Sequence, residues 1–242
     1  MEQDRDFHLY LLIGQSNMAG RGEIESQDKE AHPRVFTLDE AGNWVPAADP
    51  IHFDKPIAGV GPGLTFGKTM ADHDPSIRVG LIPCAAGGSP ITVWKSGSRW
   101  EQTNSKPYDD AIERTRIAMK HGTLKGILWH QGESDSNESN AELYEDRLVK
   151  LIDTLRMDLG VPDVPFIAGT LGDFVVENHP EANIVNKAIR RIPQRVEHTA
   201  CVDSKSMEHK GDNVHFSAES ARELGRRYAE AMIRLQHAES AR

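Results

Sequence analysis

Phe7-His8-Leu9-Tyr10-Leu11-Leu12-Ile13 runs without a break into Gly14-Gln15-Ser16-Asn17-Met18. A short aliphatic run closed by a glycine and polar residues reads as a buried strand ending in a loop. The same pattern recurs downstream at Ile77 to Ile82, Gly126 to Trp129, Pro165 to Gly169 and Thr199 to Val202. Between these runs lie stretches of helical period. Residues 107–121 start with Pro107, whose missing N–H is harmless in a first helical turn, and put Tyr108, Ala111, Ile112, Thr115, Ala118 and Met119 on one face. Residues 139–159 open on Ser139 and Glu142, a capping-box spacing, and repeat leucine and isoleucine from Leu148 to Leu159. Residues 181–192 and 217–236 complete the set. Strands alternating with helices predict right-handed crossovers and a parallel sheet covered on both faces.

Ser16 therefore falls just beyond the carboxyl end of the first strand, where open α/β sheets bind their ligands. A serine in that place can expose its hydroxyl to a cleft, or simply cap a following helix. It is not the nucleophile elbow of the α/β-hydrolases. That motif needs glycine two residues after the serine, where Met18 stands, and several strands before it, where only one precedes Ser16.

Three further segments end at the same sheet edge. Pro83-Cys84-Ala85-Ala86-Gly87-Gly88-Ser89 follows the second long strand, and its paired glycines either leave N–H groups open to a ligand or make a tight turn. Trp129-His130-Gln131-Gly132-Glu133-Ser134-Asp135 follows the next, with the Gln131 amide and the Glu133 and Asp135 carboxyls close together. Gly211-Asp212-Asn213-Val214-His215 precedes the last helix. An aspartate three residues before a histidine can fold back on the imidazole and fix its tautomer, which frees the other ring nitrogen to accept a proton. Each segment has an ordinary structural reading by itself. Together they gather a nucleophile, an oriented base and oxyanion donors at one edge.

Composition bounds the partners. The chain has 242 residues, 38% hydrophobic and 27% charged, which predicts one globular domain over residues 1–242. Its 28 Lys and Arg against 37 Asp and Glu give a net charge of −9, which disfavours nucleic acid and anionic membrane surfaces. Met1 to Asp6 carries no basic start or apolar stretch of a leader, and Leu9 to Ile13 is too short to span a bilayer, so a cytoplasmic protein is expected. Cys84 and Cys201 are too few for a disulfide framework and read as structural thiols. Eleven histidines include no His-Glu-x-x-His, and no Cys-x-x-Cys accompanies them, so neither metal nor organic cofactor is expected. Gly59-Val60-Gly61-Pro62-Gly63 before Gly67-Lys68-Thr69 resembles a phosphate loop only superficially. The required first glycine is Pro62, which has no N–H to give. Trp94 and Trp100 are candidates for stacking on a sugar ring or for ordinary packing.

The ordered set Gly14-Gln15-Ser16-Asn17-Met18, Gly59-Val60-Gly61-Pro62-Gly63, Gly87-Gly88, His130-Gln131-Gly132-Glu133-Ser134 and Asp212-x-x-His215 resembles the SGNH-hydrolase superfamily. Within it, the resemblance is to the sialate O-acetylesterase and acetylxylan-esterase group, carbohydrate esterase family six. That resemblance implies a flavodoxin-like three-layer α/β/α sandwich with a mainly five-stranded parallel sheet. It implies Ser16 as nucleophile, His215 as general base and Asp212 as its orienting acid. The oxyanion donors it implies are the Ser16 N–H, the N–H of Gly88 rather than Gly87, and the Gln131 side chain. It leaves Glu133 either assisting Asp212 or replacing it. The expected activity is removal of small acyl groups, chiefly acetyl, from a carbohydrate ester. The alternatives are a same-fold esterase or thioesterase on a lipid, and a silent carbohydrate-binding module.

Overall fold

The structure is a computed structural model that describes residues 4–240; the reading of Met1 to Asp6 as leaderless falls partly outside them. Seven strands form one sheet. They are β1 (Phe7–Gly14), β2 (Val35–Leu38), β3 (Trp44–Pro46), β4 (Arg78–Pro83), β5 (Thr123–His130), β6 (Phe166–Gly169) and β7 (Thr199–Val202). Their order is β3-β2-β4-β1-β5-β6-β7. The five strands expected from aliphatic runs are all present and adjacent. The short strand that the Val35 to Leu38 run also predicts is β2, parallel beside β4, and the sheet is wider still because β3 turns back antiparallel on β2.

The helices are α1 (Ser16–Ala19), α2 (Pro62–His73), α3 (Pro107–Ala118), α4 (Tyr144–Leu159), α5 (Asp173–Asn178), α6 (Ala182–Arg195) and α7 (Ala218–Ser240). Residues on β1 alternate between the two covering layers, as the two-residue period of a strand requires. Tyr10 meets Phe66 of α2 edge to face at 4.9 Å. α2 and α7 pack together on that side, while α3, α4 and α6 form the other layer. Leu9, Tyr10, Leu11, Leu12 and Ile13 are fully buried, as a strand covered on both faces demands. The expected capping box at Ser139 and Glu142 does not form. A 3₁₀ turn, Ala141–Leu143, leads into α4, and the Ser139 N–H donates to Asn137 Oδ1 instead.

Two features bring the strand ends into register. Gly14 pairs with His130 across β1 and β5. Its φ is +132°, and a Cβ there would lie 2.1 Å from the His130 carbonyl oxygen, so the chain can cross so closely only as glycine. At the end of β5, two fully buried tyrosines fix the backbone on either side of His130. Tyr228 donates to the Trp129 carbonyl at 2.7 Å and Tyr144 to the Gln131 carbonyl at 2.8 Å. Gly59-Val60-Gly61 braces the segment after Ser16. Gly59 N donates to Gly20 O, and Val60 and Gly22 exchange both backbone bonds.

Candidate active site

Ser16 opens the single-turn helix α1 directly off the central strand. Asp212 and His215 arrive from the sheet's far edge, on the long connection from β7 to α7. Within that connection Asp212 folds back on its own loop. Its Oδ1 accepts the N–H groups of Val214 (3.0 Å) and His215 (2.8 Å), and its Oδ2 lies 2.8 Å from His215 Nδ1. His215 Nε2 then stands 3.0 Å from Ser16 Oγ, across 199 residues of sequence.

The electrostatics suit a neutral imidazole beside an ionised acid. Burial pushes the His215 pKa below its ordinary 6.5, and the Asp212 carboxylate only partly restores it. Burial would raise Asp212, but the His215 and Val214 N–H groups and the imidazole outweigh it and bring it down to about 2. A neutral imidazole with Nδ1–H held by a carboxylate presents an Nε2 lone pair to the serine hydroxyl, which is the condition for general-base activation.

The cleft above Ser16 holds about 320 Å³ and is bordered by His215, Gly88, Ser134, Val175 and Ile57 among others. A larger concavity of about 750 Å³ lies at the opposite end of the sheet, near His8, Lys125 and His237, and contains no serine placed beside a histidine. The two glycines are separated by their partners. Gly87 N–H donates to Asp54 Oδ2 at 2.9 Å, and Asp54 is itself held by Arg21 in a buried ion pair at 2.7 Å. The Gly88 N–H, at φ +80°, has no acceptor among the described residues.

Gln131 lies elsewhere than its sequence neighbourhood predicts. Its carboxamide is fully buried, and Nε2 donates to Asp135 Oδ2 (2.7 Å), Ser89 O (3.1 Å) and Gln15 Oε1 (3.1 Å). An amide with those three acceptors has no hydrogen left for a ligand, so the expected Gln131 donor is corrected to a buried brace. What it braces is Gln15, a residue that the sequence motifs alone do not single out as a donor. Gln15 Oε1 also accepts the Ser134 N–H at 3.3 Å, and Gln15 borders the cleft, its Nε2 having no protein acceptor among the described residues.

Glu133 borders the cleft but bonds Asn17 Nδ2 (2.6 Å), with no bond to His215 among the described residues; burial raises its pKa. Trp94 is no sugar platform, since it is buried, packs edge-on against Trp129 and donates to Ser89 Oγ. Trp100 is half-buried beside Gly88 and donates to Gly87 O. Cys84 and Cys201 are free and partly buried, with thiol pKa values pushed up by desolvation to about 12 and about 11, so neither is a nucleophile. Among the described residues, no group of three or more His, Cys, Asp or Glu is placed to hold a metal ion. No described helix is long and apolar enough to cross a membrane.

Comparison with known proteins agrees with this architecture. A family model described as carbohydrate esterase, sialic acid-specific acetylesterase, matches residues 6–234. A probable carbohydrate esterase of Arabidopsis thaliana is 32% identical over 248 residues, covering 93% of this chain and 90% of the relative. The solved structure of an Arabidopsis thaliana protein superposes with a TM-score of 0.83 at 30% identity, over 94% of this chain and 98% of that one. NanS shares the fold, with a TM-score of 0.78 at 19% identity over 98% of this chain and all of its own. Human sialate O-acetylesterase is 36% identical over 105 residues, 38% of this chain and 20% of the human protein. On the family match, which runs through nearly the whole sheet and both halves of the cleft, the chain belongs to the carbohydrate esterases of the sialic acid-specific acetylesterase family.

Proposed function

We propose that this chain is a serine esterase that removes small acyl groups, chiefly acetyl, from hydroxyls of a carbohydrate through an acyl-enzyme. The observation that carries the reading is the line Ser16 Oγ, His215 Nε2, His215 Nδ1, Asp212 Oδ2, with donor–acceptor separations of 3.0 and 2.8 Å. Family membership supports the carbohydrate acetyl ester as substrate class.

In this reading Ser16 Oγ attacks the ester carbonyl as its proton passes to His215 Nε2. Negative charge collects on the carbonyl oxygen, facing the N–H groups of Ser16 and Gly88 and the Nε2 of Gln15. The intermediate collapses, the C–O bond to the sugar breaks, and the sugar oxygen leaves with the proton from His215. Water then gives its proton to His215 and attacks the acetyl-enzyme, which releases acetate and restores the Ser16 hydroxyl. Acetate release from a panel of O-acetylated sugars and oligosaccharides tests the substrate class. A release confined to long-chain acyl esters would overturn it.

The pH dependence has a definite sign. Only neutral His215 can accept the serine proton, so activity should rise with pH through the His215 pKa and level off above it. Because burial lowers that pKa, half-maximal kcat/KM is expected below pH 6.5. Asp212 remains ionised throughout this range and adds no second limb. A kcat/KM profile on an aryl acetate that stayed flat well into acid would remove His215 as the base.

A further inference from the structure

Asp212 fixes the His215 ring only relative to its own loop, since both residues sit within four positions of each other. Nothing in that contact holds the loop against Ser16, which comes from the other end of the chain. The loop is tied to its own stem, where His209 pairs with Phe216 and the Lys210 N–H donates to the His215 carbonyl, and the buried Phe216 packs on His130 and Phe174. No backbone–backbone hydrogen bond among the described residues joins residues 208–216 to the Ser16 turn. Residues 208–213 are mostly exposed, and Asn213 is in the left-handed region at φ +58°. Asn17 bridges the two. Its Nδ2 donates to the Val214 carbonyl at 3.0 Å, and its Oδ1 accepts the Phe216 N–H at 3.1 Å. The side chain next to Ser16 thus grips the peptide groups on both sides of His215, much as one strand grips another. The second Nδ2 hydrogen goes to Glu133 Oε1 at 2.6 Å. With Val214 O, Glu133 and Phe216 N–H engaged, the carboxamide is satisfied in a single orientation.

From these contacts we infer that Asn17 is a positioning residue that locks the His215 loop onto the nucleophile turn, and that Glu133 acts through Asn17 as its acceptor rather than as a second acidic partner of His215. The inference rests on the esterase reading of Ser16 and His215. A displacement of about 1 Å in a reacting group can cost on the order of 100-fold, so losing this bridge should be felt in turnover more than in substrate binding.

Four variants decide it, assayed on an aryl acetate with folding checked by circular dichroism and thermal midpoint. Asn17→Ala and the near-isosteric Asn17→Asp, which keeps the Phe216 acceptor but loses both donors, should lower kcat roughly 10- to 100-fold with little change in KM. Glu133→Ala should lower kcat roughly 10-fold, the scale of one lost hydrogen bond. Glu133→Gln still offers Asn17 an oxygen, and should recover to within about threefold of the parent, again the scale of a modest hydrogen-bond change, with the acid limb of its pH profile in place. If Asn17→Ala does not fold, the Glu133 pair carries the test alone. The inference is overturned if Glu133→Gln falls as far as Glu133→Ala, if its pH limb moves, or if Asn17→Asp turns over like the parent. Failure of the underlying reading would look different: Ser16→Ala would then hydrolyse the ester as the parent does.

Discussion

Ser16→Ala should reduce ester hydrolysis on the order of 10⁶-fold, to the small residue that binding and oxyanion contacts can sustain without a nucleophile. The size follows from the arrangement. Ser16 is 5% exposed, its Oγ sits 3.0 Å from His215 Nε2, and it is the only hydroxyl given a His215 contact among the described residues. Neither cysteine can stand in, since both thiols are shifted toward the protonated form and neither lines the cleft. A fluorophosphonate that forms a bond to an activated serine should label the parent with one equivalent and leave the variant unlabelled. The same reagent separates an esterase from a silent sugar-binding module, because a module would hold the fold but leave Ser16 unmodified. A variant that kept parental turnover, or a parent that resisted the reagent while hydrolysing an aryl acetate, would dismiss Ser16 as the nucleophile.

How much of the site is legible in the sequence depends on how local each part is. β1 announces itself as an unbroken aliphatic run, and Ser16 is fixed by being next after Gln15 at its end. Asp212 and His215 need only three residues of separation to meet, so their contact is written in the spacing. Gln131 defeats such a reading because its orientation is set by Asp135, Ser89 and Gln15, which the turn at Gly132 and the neighbouring strand deliver from three places. The Gly87 N–H is occupied and the Gly88 N–H is not, and the cause is the Arg21–Asp54 pair, which lies in the loop-rich stretch where no periodicity gives a signal. β3 is hidden for the same reason: Trp44–Pro46 is three residues long and gains its place only by pairing with β2. The failed cap at Ser139 shows local competition, with Asn137 taking the bond that the spacing assigns to the helix.

Asp212→Asn should lower kcat roughly 10⁴-fold at neutral pH, comparable to the loss when the orienting aspartate of a serine protease becomes asparagine. The geometry explains why so small a change costs so much. Asp212 Oδ1 is claimed by two backbone donors, Val214 N–H and His215 N–H. The asparagine must keep its oxygen at that position, because turning the amide would set its NH₂ against those two N–H groups. Its NH₂ is therefore forced to face His215 Nδ1. A donor there requires the Nδ1 lone pair, so the ring proton moves to Nε2, where it points at Ser16 and blocks proton acceptance. Two measurements check this together. Turnover on an aryl acetate should collapse while KM changes little, and nitrogen NMR of the imidazole should show the neutral proton transferred from Nδ1 in the parent to Nε2 in the variant. Turnover within tenfold of the parent would mean that Asp212 does not set the tautomer, and would return Glu133 to consideration as the acid that does.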